Sequence, residues 1–139
     1  MSSTTHEIQQ VIARYGSTLD AHDHDALAGL HRVEAEWTFA IGSQVVIGPL
    51  RGRDAIIDFV SRPPDGPPVQ QRHVLTNISI SGTSNETTRA TAYLTLIAAH
   101  DAAPVIVATG TATFVLRVTE GMWSIETLLI SFDNSPLPH

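Results

Sequence analysis

The sequence contains no cysteine among its 139 residues. A disulfide framework, a thiolate nucleophile and a cysteine-bound zinc site are therefore excluded. Positive charge is also scarce, because 8 Lys and Arg stand against 14 Asp and Glu, a net charge of −6 with histidines neutral. Nucleic acids and anionic membrane surfaces bind clustered Lys and Arg, and no basic run occurs here, so we expect neither as a partner.

Long apolar runs are absent as well. No stretch approaches the roughly 18 apolar residues of a membrane span. The polar N-terminus, residues 1–7, lacks the charged and apolar regions of a signal peptide, so we expect a cytoplasmic protein. The apolar content of 42% is enough to fill one core, which predicts a single domain over residues 1–139.

Signatures of bound cofactors are missing too. The sequence has no glycine-rich phosphate loop, no dinucleotide fingerprint and no Gly-x-Ser-x-Gly elbow, so no organic cofactor is implied. The run His22-Asp23-His24-Asp25 offers alternating metal ligands. A metal site needs a further ligand held rigidly, and we interpret this run as a solvated turn without a metal.

The first part of the chain predicts three helices and a β-hairpin. The predicted helices cover residues 4–20, 23–30 and 53–60, and the hairpin joins residues 37–41 to 45–47. Tyr15 lies on the apolar stripe of the first helix, so we expect it to face the interior. Asp23 is suited to cap the second helix.

The second part of the chain predicts four long strands after a proline-rich segment. Residues 61–68 contain four prolines and cannot form regular structure, so we interpret them as a mobile loop over a site. The strands cover residues 71–80, 87–99, 105–118 and 123–133, and their short connections predict antiparallel neighbours. This order indicates an α+β fold in which a curved sheet and helices on its concave face enclose an apolar, cone-shaped pocket.

His73, on the first long strand, is the candidate base. Alternation places it on one strand face with Leu75 and Asn77. A neutral imidazole, with a reference pKa of about 6.5, suits that role at physiological pH. A carboxylate that accepts the imidazole Nδ1–H would orient the ring, and both Asp20 and Asp23 are available. We favour Asp23, because one carboxylate can cap a helix and hold a histidine together.

Other polar and aromatic residues have two interpretations each. Tyr15 could donate a proton to a leaving hydroxyl or bind a carbonyl oxygen. Alternatively, it is a core aromatic residue whose hydroxyl forms a hydrogen bond with a neighbour. Tyr93 has the same two interpretations. Asn77 could bind a substrate oxygen or pair across the sheet. The aromatic residues that could serve as core and substrate walls at once are Trp37, Phe39, Phe114 and Trp123.

Together these residues resemble a known family. The motifs that carry the resemblance are Tyr15…Leu19-Asp20…Asp23, Ala35-Glu-Trp37, residues 52–57, Arg72-His73…Thr76-Asn77, Tyr93, residues 123–125 and Asp133. The chain resembles the SnoaL-like branch of the nuclear transport factor 2-like superfamily of α+β cone folds. Within that branch it is most similar to the scytalone dehydratase, bile-acid 7α-dehydratase and hexachlorocyclohexane dehydrochlorinase group.

The resemblance implies a catalytic Asp–His pair that abstracts a proton and promotes elimination. The family's His corresponds to His73, its Asp to Asp20 or Asp23, and its Tyr to Tyr15. Many members carry an Arg shortly after the Trp of the last strand, where this chain has Leu128. That difference argues against an anionic substrate group.

The sequence therefore predicts a cofactor-independent lyase or isomerase, of dehydratase or cyclase type, acting on a neutral, apolar, cyclic small molecule. The alternatives are an epoxide-hydrolase-type enzyme and a non-catalytic module that binds an apolar ligand or dimerises. We also expect a homo-oligomer, a dimer or a trimer, formed through the outer sheet face. The possible members of that face are Ile78, Ile80, Ala112, Phe114 and Leu116.

Overall fold

The computed structural model describes residues 3–63, 66, 69–99 and 101–135. The helices are α1 Ser3–Asp20, α2 His24–Gly29 and α3 Arg53–Val60. The strands are β1 His31–Ile41, β2 Gln44–Arg51, β3 Gln70–Ser81, β4 Thr87–Ala99, β5 Val105–Thr119 and β6 Met122–Phe132. Residues 64, 65, 67 and 68 of the predicted proline-rich loop lie outside the described residues. Within those ranges, no helix combines the length and apolarity needed to cross a bilayer.

The six strands form one sheet in the order β2-β1-β6-β5-β4-β3. All neighbours are antiparallel except β1 and β6, which run parallel. The hairpin β1–β2 thus joins the four-strand meander through its last strand, and this parallel pair was not predicted. The α+β class, with N-terminal helices on the concave face of a curved sheet, is confirmed.

The core lies between α1 and the concave face of the sheet. The apolar stripe of α1 contributes Ile8 and Ile12, both 0% exposed, and the sheet contributes Phe114 and Leu116, also 0% exposed. Tyr15 meets Phe114 edge-to-face with ring centroids 5.8 Å apart. Burial of these side chains fixes which face of α1 points at the sheet.

The residues that the sequence offered as possible members of the outer sheet face do not lie on it. The residues suggested for that face all lie in the core or pack against it: Ile78, Ile80, Ala112, Phe114 and Leu116. Residues on the opposite face of the sheet, such as Tyr93 and Leu129, are exposed instead. Strand alternation separates two faces, but only the position of α1 decides which of them is covered.

A bulge in β3 changes which residues face the core. At Asn77 the backbone is left-handed, with φ 53°, and the register with β4 shifts. His73 and Leu75 before the bulge, and Ile78 and Ile80 after it, are at least partly buried, whereas Asn77 is exposed. The predicted sharing of one face by His73 and Asn77 is therefore wrong, because a bulge breaks the period of two.

His31, the first residue of β1, is a buried histidine that sequence reasoning did not identify. It is 3% exposed, and its Nδ1 lies 2.8 Å from the carbonyl oxygen of Leu27. A carbonyl only accepts hydrogen bonds, so Nδ1 carries the proton and donates it. Within the described residues, Nε2 has no hydrogen-bond partner. Burial lowers the pKa of His31 below its ordinary value of 6.5, although the bond to Leu27 opposes this.

Because the His31 imidazole is buried, we expect the folded protein to lose stability in mild acid. As the pH falls through about 6.5, the unfolded chain gains a proton at His31 before the folded chain does, so the free energy of unfolding decreases. Urea denaturation at about pH 7 and about pH 5 measures the decrease, and we expect it to be smaller in His31→Gln. His6→Gln, which removes an exposed imidazole from α1, is the matched control. An equal decrease in wild type and His31→Gln would contradict the prediction.

Candidate active site

A cavity of about 620 Å³ lies between the C-terminal half of α1, the end of α3 and the concave face of the sheet. Trp37 and Phe39 stack along one wall with an interplanar angle of 15°, and Phe132 meets Phe39 edge-to-face at 4.8 Å. The polar side chains that line it are Tyr15, His22, His24, Ser61, Arg62, Gln71 and His73. No described lining residue is Asp or Glu. The cavity is thus a mainly apolar chamber with a few polar groups.

An Asp–His pair lies at the wall of this cavity. The Nδ1 atom of His73 is 2.7 Å from Oδ1 of Asp20, and the two side chains are 17% and 10% exposed. A carboxylate only accepts hydrogen bonds, so the network assigns the proton to Nδ1. In the neutral ring Nε2 therefore keeps its lone pair. His73 is one of the residues that line the cavity, and a ring nitrogen with a free lone pair can act as a base.

Asp20 also binds the backbone of the same histidine. The His73 N–H donates to both carboxylate oxygens of Asp20, at 3.1 Å each. β3 is an edge strand of the sheet, so this N–H is not used by a neighbouring strand. The last residue of α1 thus fixes both the ring and the main chain of His73, and α1 covers part of the exposed sheet edge.

Asp23, which we favoured from sequence, does not reach His73. Its side chain is exposed and caps α2 by accepting the Ala26 N–H at 3.2 Å. The preference for Asp23 is corrected, and Asp20 is the partner of the imidazole. The difference arises because α1 continues to Asp20 and carries its carboxylate to the edge of β3, whereas Asp23 lies beyond the turn.

Tyr15 brings a phenol to the cavity from the middle of the apolar stripe. It is 3% exposed, and its oxygen accepts a hydrogen bond from the Trp37 indole N–H at 3.2 Å. Burial raises the pKa of Tyr15 to about 12, and the bond from Trp37 offsets part of this rise. Among the described residues, no acceptor takes the Tyr15 proton. Tyr15 lines the cavity, and its hydroxyl keeps a proton that it can donate.

The remaining predicted site residues divide into two groups. Trp37 and Phe39 line the cavity. Asn77 is exposed at the bulge, and Tyr93 is 58% exposed on the outer face of the sheet. Trp123 lines two separate depressions near the start of α1. We therefore leave Asn77, Tyr93 and Trp123 out of the proposed site.

Sequence reasoning did not name several lining residues as site residues. Gln71 lies two positions before His73, on the face that strand alternation assigns to both, and it lines the cavity. His22 and His24 were considered only as metal ligands, yet both line the cavity with ring centroids 6.2 Å apart. Within the described part of the chain, no group of three or more His, Asp or Glu side chains is arranged to hold a metal ion.

A family model described as a SnoaL-like domain matches residues 1–128. The chain belongs to the SnoaL-like domain family. The resemblance inferred from its motifs is thereby confirmed. A search of curated proteins finds no match to this SnoaL-like chain.

Solved structures with the same fold resemble this SnoaL-like chain over nearly its whole length. Aln2 from a Streptomyces species is 22% identical, with a TM-score of 0.80 over 96% of this chain and 94% of that one. ActVI-ORFA from Streptomyces coelicolor is 19% identical, with a TM-score of 0.79 over 95% and 98%. A Catenulispora acidiphila protein, solved in complex with S-DNPA, is 20% identical, with a TM-score of 0.76 over 96% of both chains. At these identities the likeness shows the fold.

Proposed function

We propose that this SnoaL-like chain is a cofactor-independent lyase or isomerase, of dehydratase or cyclase type, acting on a neutral, apolar, cyclic small molecule. In this proposal His73 removes a proton from carbon, Asp20 orients the imidazole, and Tyr15 donates a hydrogen bond to a substrate oxygen. The observation that carries the proposal is the 2.7 Å contact of Nδ1 of His73 with Asp20, in a histidine that also lines an apolar cavity.

The first step is the transfer of a carbon-bound proton to Nε2 of His73. The electrons of the C–H bond pass into an adjacent carbonyl, which gives an enolate, and the imidazole becomes an imidazolium. Asp20 stabilises that cation through the hydrogen bond at Nδ1. General base help of this kind contributes about 10²–10⁴-fold, and orientation of the substrate in the cavity adds to it.

Tyr15 supplies the complementary donor. An indole N–H can only donate, so the Trp37 contact uses the phenol oxygen as an acceptor and leaves the phenol proton for another group. The raised pKa of Tyr15, about 12, keeps that proton in place at neutral pH. A donor held in a site of low polarity stabilises negative charge that develops on a substrate oxygen.

The cavity supports a neutral, apolar substrate. Its walls are largely apolar, partly aromatic and partly aliphatic, and Arg62, its lining arginine, lies 3.5 Å from Asp58 in an exposed ion pair. Leu128, which stands where many relatives carry an arginine, is 2% exposed in the core. The stacked rings of Trp37 and Phe39 on one wall favour a flat ring system, and the complex of the Catenulispora protein with S-DNPA supports a small-molecule site in this fold.

Hydrogen exchange into a model ketone tests the proposal without knowledge of the natural substrate. The probe is 2-tetralone, a neutral bicyclic ketone with acidic protons next to its carbonyl. In D₂O we expect the protein to accelerate deuterium uptake at those carbons, followed by proton NMR. A rate equal to that in buffer, with 2-tetralone bound to the protein, would contradict the proposed proton transfer.

Asp20 and Asp23 make a matched pair of variants for this assay. Asp20→Asn removes the negative charge beside His73 and no longer enforces the Nδ1–H form, so we expect exchange to fall by about 10²-fold or more. Asp23→Asn keeps a good capping residue at the start of α2 and is expected to leave exchange within about twofold of wild type. Equal effects of the two substitutions would contradict the assignment of Asp20.

A non-catalytic module that binds an apolar ligand is the second candidate. The observation that favours it is that the His73 backbone N–H donates to both oxygens of the Asp20 carboxylate, which gives this acid a structural task as well. Under this alternative 2-tetralone binds, detected by chemical-shift changes of cavity residues, and no exchange occurs. An epoxide-hydrolase mechanism fits less well, because the described lining residues include no acidic side chain.

The outer sheet face supports a homo-oligomer, which we also propose. Tyr93 and Leu129 are 58% and 41% exposed on that face, and Val74 is 36% exposed. Their burial against a second copy would be favourable. Sedimentation velocity distinguishes a monomer from a dimer or a trimer.

A further inference from the structure

Gly16 lies one helical turn before Asp20 on the same face of α1. Residues four apart on a helix are neighbours, so Gly16 and Asp20 both face the edge of β3. Gly16 is a helix-interior residue whose φ is not positive, so its backbone does not require glycine. Glycine inside a helix costs about 1 kcal/mol relative to alanine. The backbone conformation therefore does not explain why glycine occupies this position.

The space around Gly16 gives that reason. A Cβ atom at this position would lie 2.8 Å from the carbonyl oxygen of His73 and 3.4 Å from Cδ1 of Leu75. The His73 oxygen belongs to the backbone of β3, so it cannot move aside as a flexible side chain could. Cβ contacts under 3.0 Å essentially never occur and ordinary contact begins at 3.4 Å, so the helix or the strand would have to retreat by about 0.2–0.6 Å at this point.

Such a retreat would weaken the Asp20–His73 contacts one turn further on. The carboxylate of Asp20 meets Nδ1 of His73 at 2.7 Å and its backbone N–H at 3.1 Å. An increase at the upper end of that range, about 0.6 Å, carries both distances beyond the range of good hydrogen bonds. The hydrogen bonds of the Asp20–His73 pair thus depend on a close approach of α1 to β3, which a methyl group at residue 16 would prevent.

We propose that Gly16 is a positioning residue, which lets α1 approach β3 closely enough for Asp20 to hold the ring and the backbone of His73 together. The consequence for turnover rests on the proposed function, whereas the consequence for the His73 ring does not. Gly16 acts through the Asp20–His73 pair and is not among the residues that line the cavity.

The test compares Gly16→Ala with Gly29→Ala. Gly29 ends α2, and a Cβ atom there would meet nothing within 4 Å, so it is the matched control. The ligand-free readout is ¹H–¹⁵N NMR of the His73 imidazole. We expect the Nδ1–H form and a slowly exchanging ring proton in wild type and Gly29→Ala. In Gly16→Ala we expect a mixture of tautomers, loss of that proton signal, and about 10-fold or more slower exchange of 2-tetralone.

A second substitution tests whether distance is the cause. Glu is longer than Asp by one methylene, so Gly16→Ala/Asp20→Glu is expected to recover the Nδ1–H form, whereas Asp20→Glu alone disturbs it. Unchanged His73 signals in folded Gly16→Ala would overturn the proposal. If Gly16→Ala fails to fold, Asp20→Glu alone tests the proposal. Native His73 signals in Asp20→Glu would contradict the requirement for a close spacing between α1 and β3. Loss of the His73 signals without any catalysed exchange in wild type would leave Gly16 as a positioning residue and refute only the proposed function.

Discussion

His73→Ala is expected to lower the protein-catalysed deuterium exchange of 2-tetralone by about 10²–10⁴-fold, with the chain still folded. The substitution removes the group whose Nε2 would take the carbon-bound proton. The His73 backbone N–H remains and can still donate to Asp20, so α1 stays attached to the edge of β3. Exchange rates from proton NMR, at equal protein concentration and pH, measure the effect.

Val74→Ala is the control for this substitution. Val74 is the next residue of β3, points to the opposite face and is 36% exposed, so its truncation tests general damage to the strand. We expect exchange within about twofold of wild type. Circular dichroism and thermal melting show whether both variants are folded. Wild-type exchange in folded His73→Ala would remove the Asp20–His73 pair from the mechanism.

Phe114→Ala is expected to decrease the free energy of unfolding by about 3–5 kcal/mol. Phe114 is 0% exposed in the middle of β5, and its ring packs edge-to-face with Tyr15. Its truncation leaves a cavity between α1 and the sheet, and the lost ring also supports a residue of the proposed site. Domains of this size are stable by about 5–15 kcal/mol, so the loss is a large share of the total. Urea denaturation followed by circular dichroism measures it.

Tyr93→Ala is the counterpart on the other face of the sheet. Tyr93 lies on the neighbouring strand β4 and is 58% exposed in the single chain, so for the monomer, at a protein concentration that keeps the chain monomeric, we expect a decrease of about 1 kcal/mol or less. The comparison tests the orientation of the sheet, because the sequence alone suggested Phe114 for the outer face. Similar losses in the two variants would contradict this orientation of the sheet, with Phe114 inside and Tyr93 outside.

The sequence by itself determined the elements of this SnoaL-like fold and several residues of its cavity. Helix α3 and strand β4 begin and end where the pattern predicted, at residues 53–60 and 87–99. His73, Tyr15 and Asp20 were all candidates, and Tyr15 and His73 line one cavity. These predictions succeeded because apolar periodicity and proline or glycine breaks act within a few residues, so a local pattern contains them.

The tertiary structure decided the partners and faces. It paired His73 with Asp20 rather than Asp23, because the end of α1 reaches an edge strand that lies some fifty residues further along the chain. It turned Asn77 outward through a left-handed bulge, although its sequence period pointed inward. It also gave Gly16 a role that depends on the spacing of α1 and β3. Each outcome depends on how distant segments of the chain pack. The local sequence pattern is compatible with either aspartate as the partner of His73 and with either face for Asn77, and it contains no information about the spacing of α1 and β3.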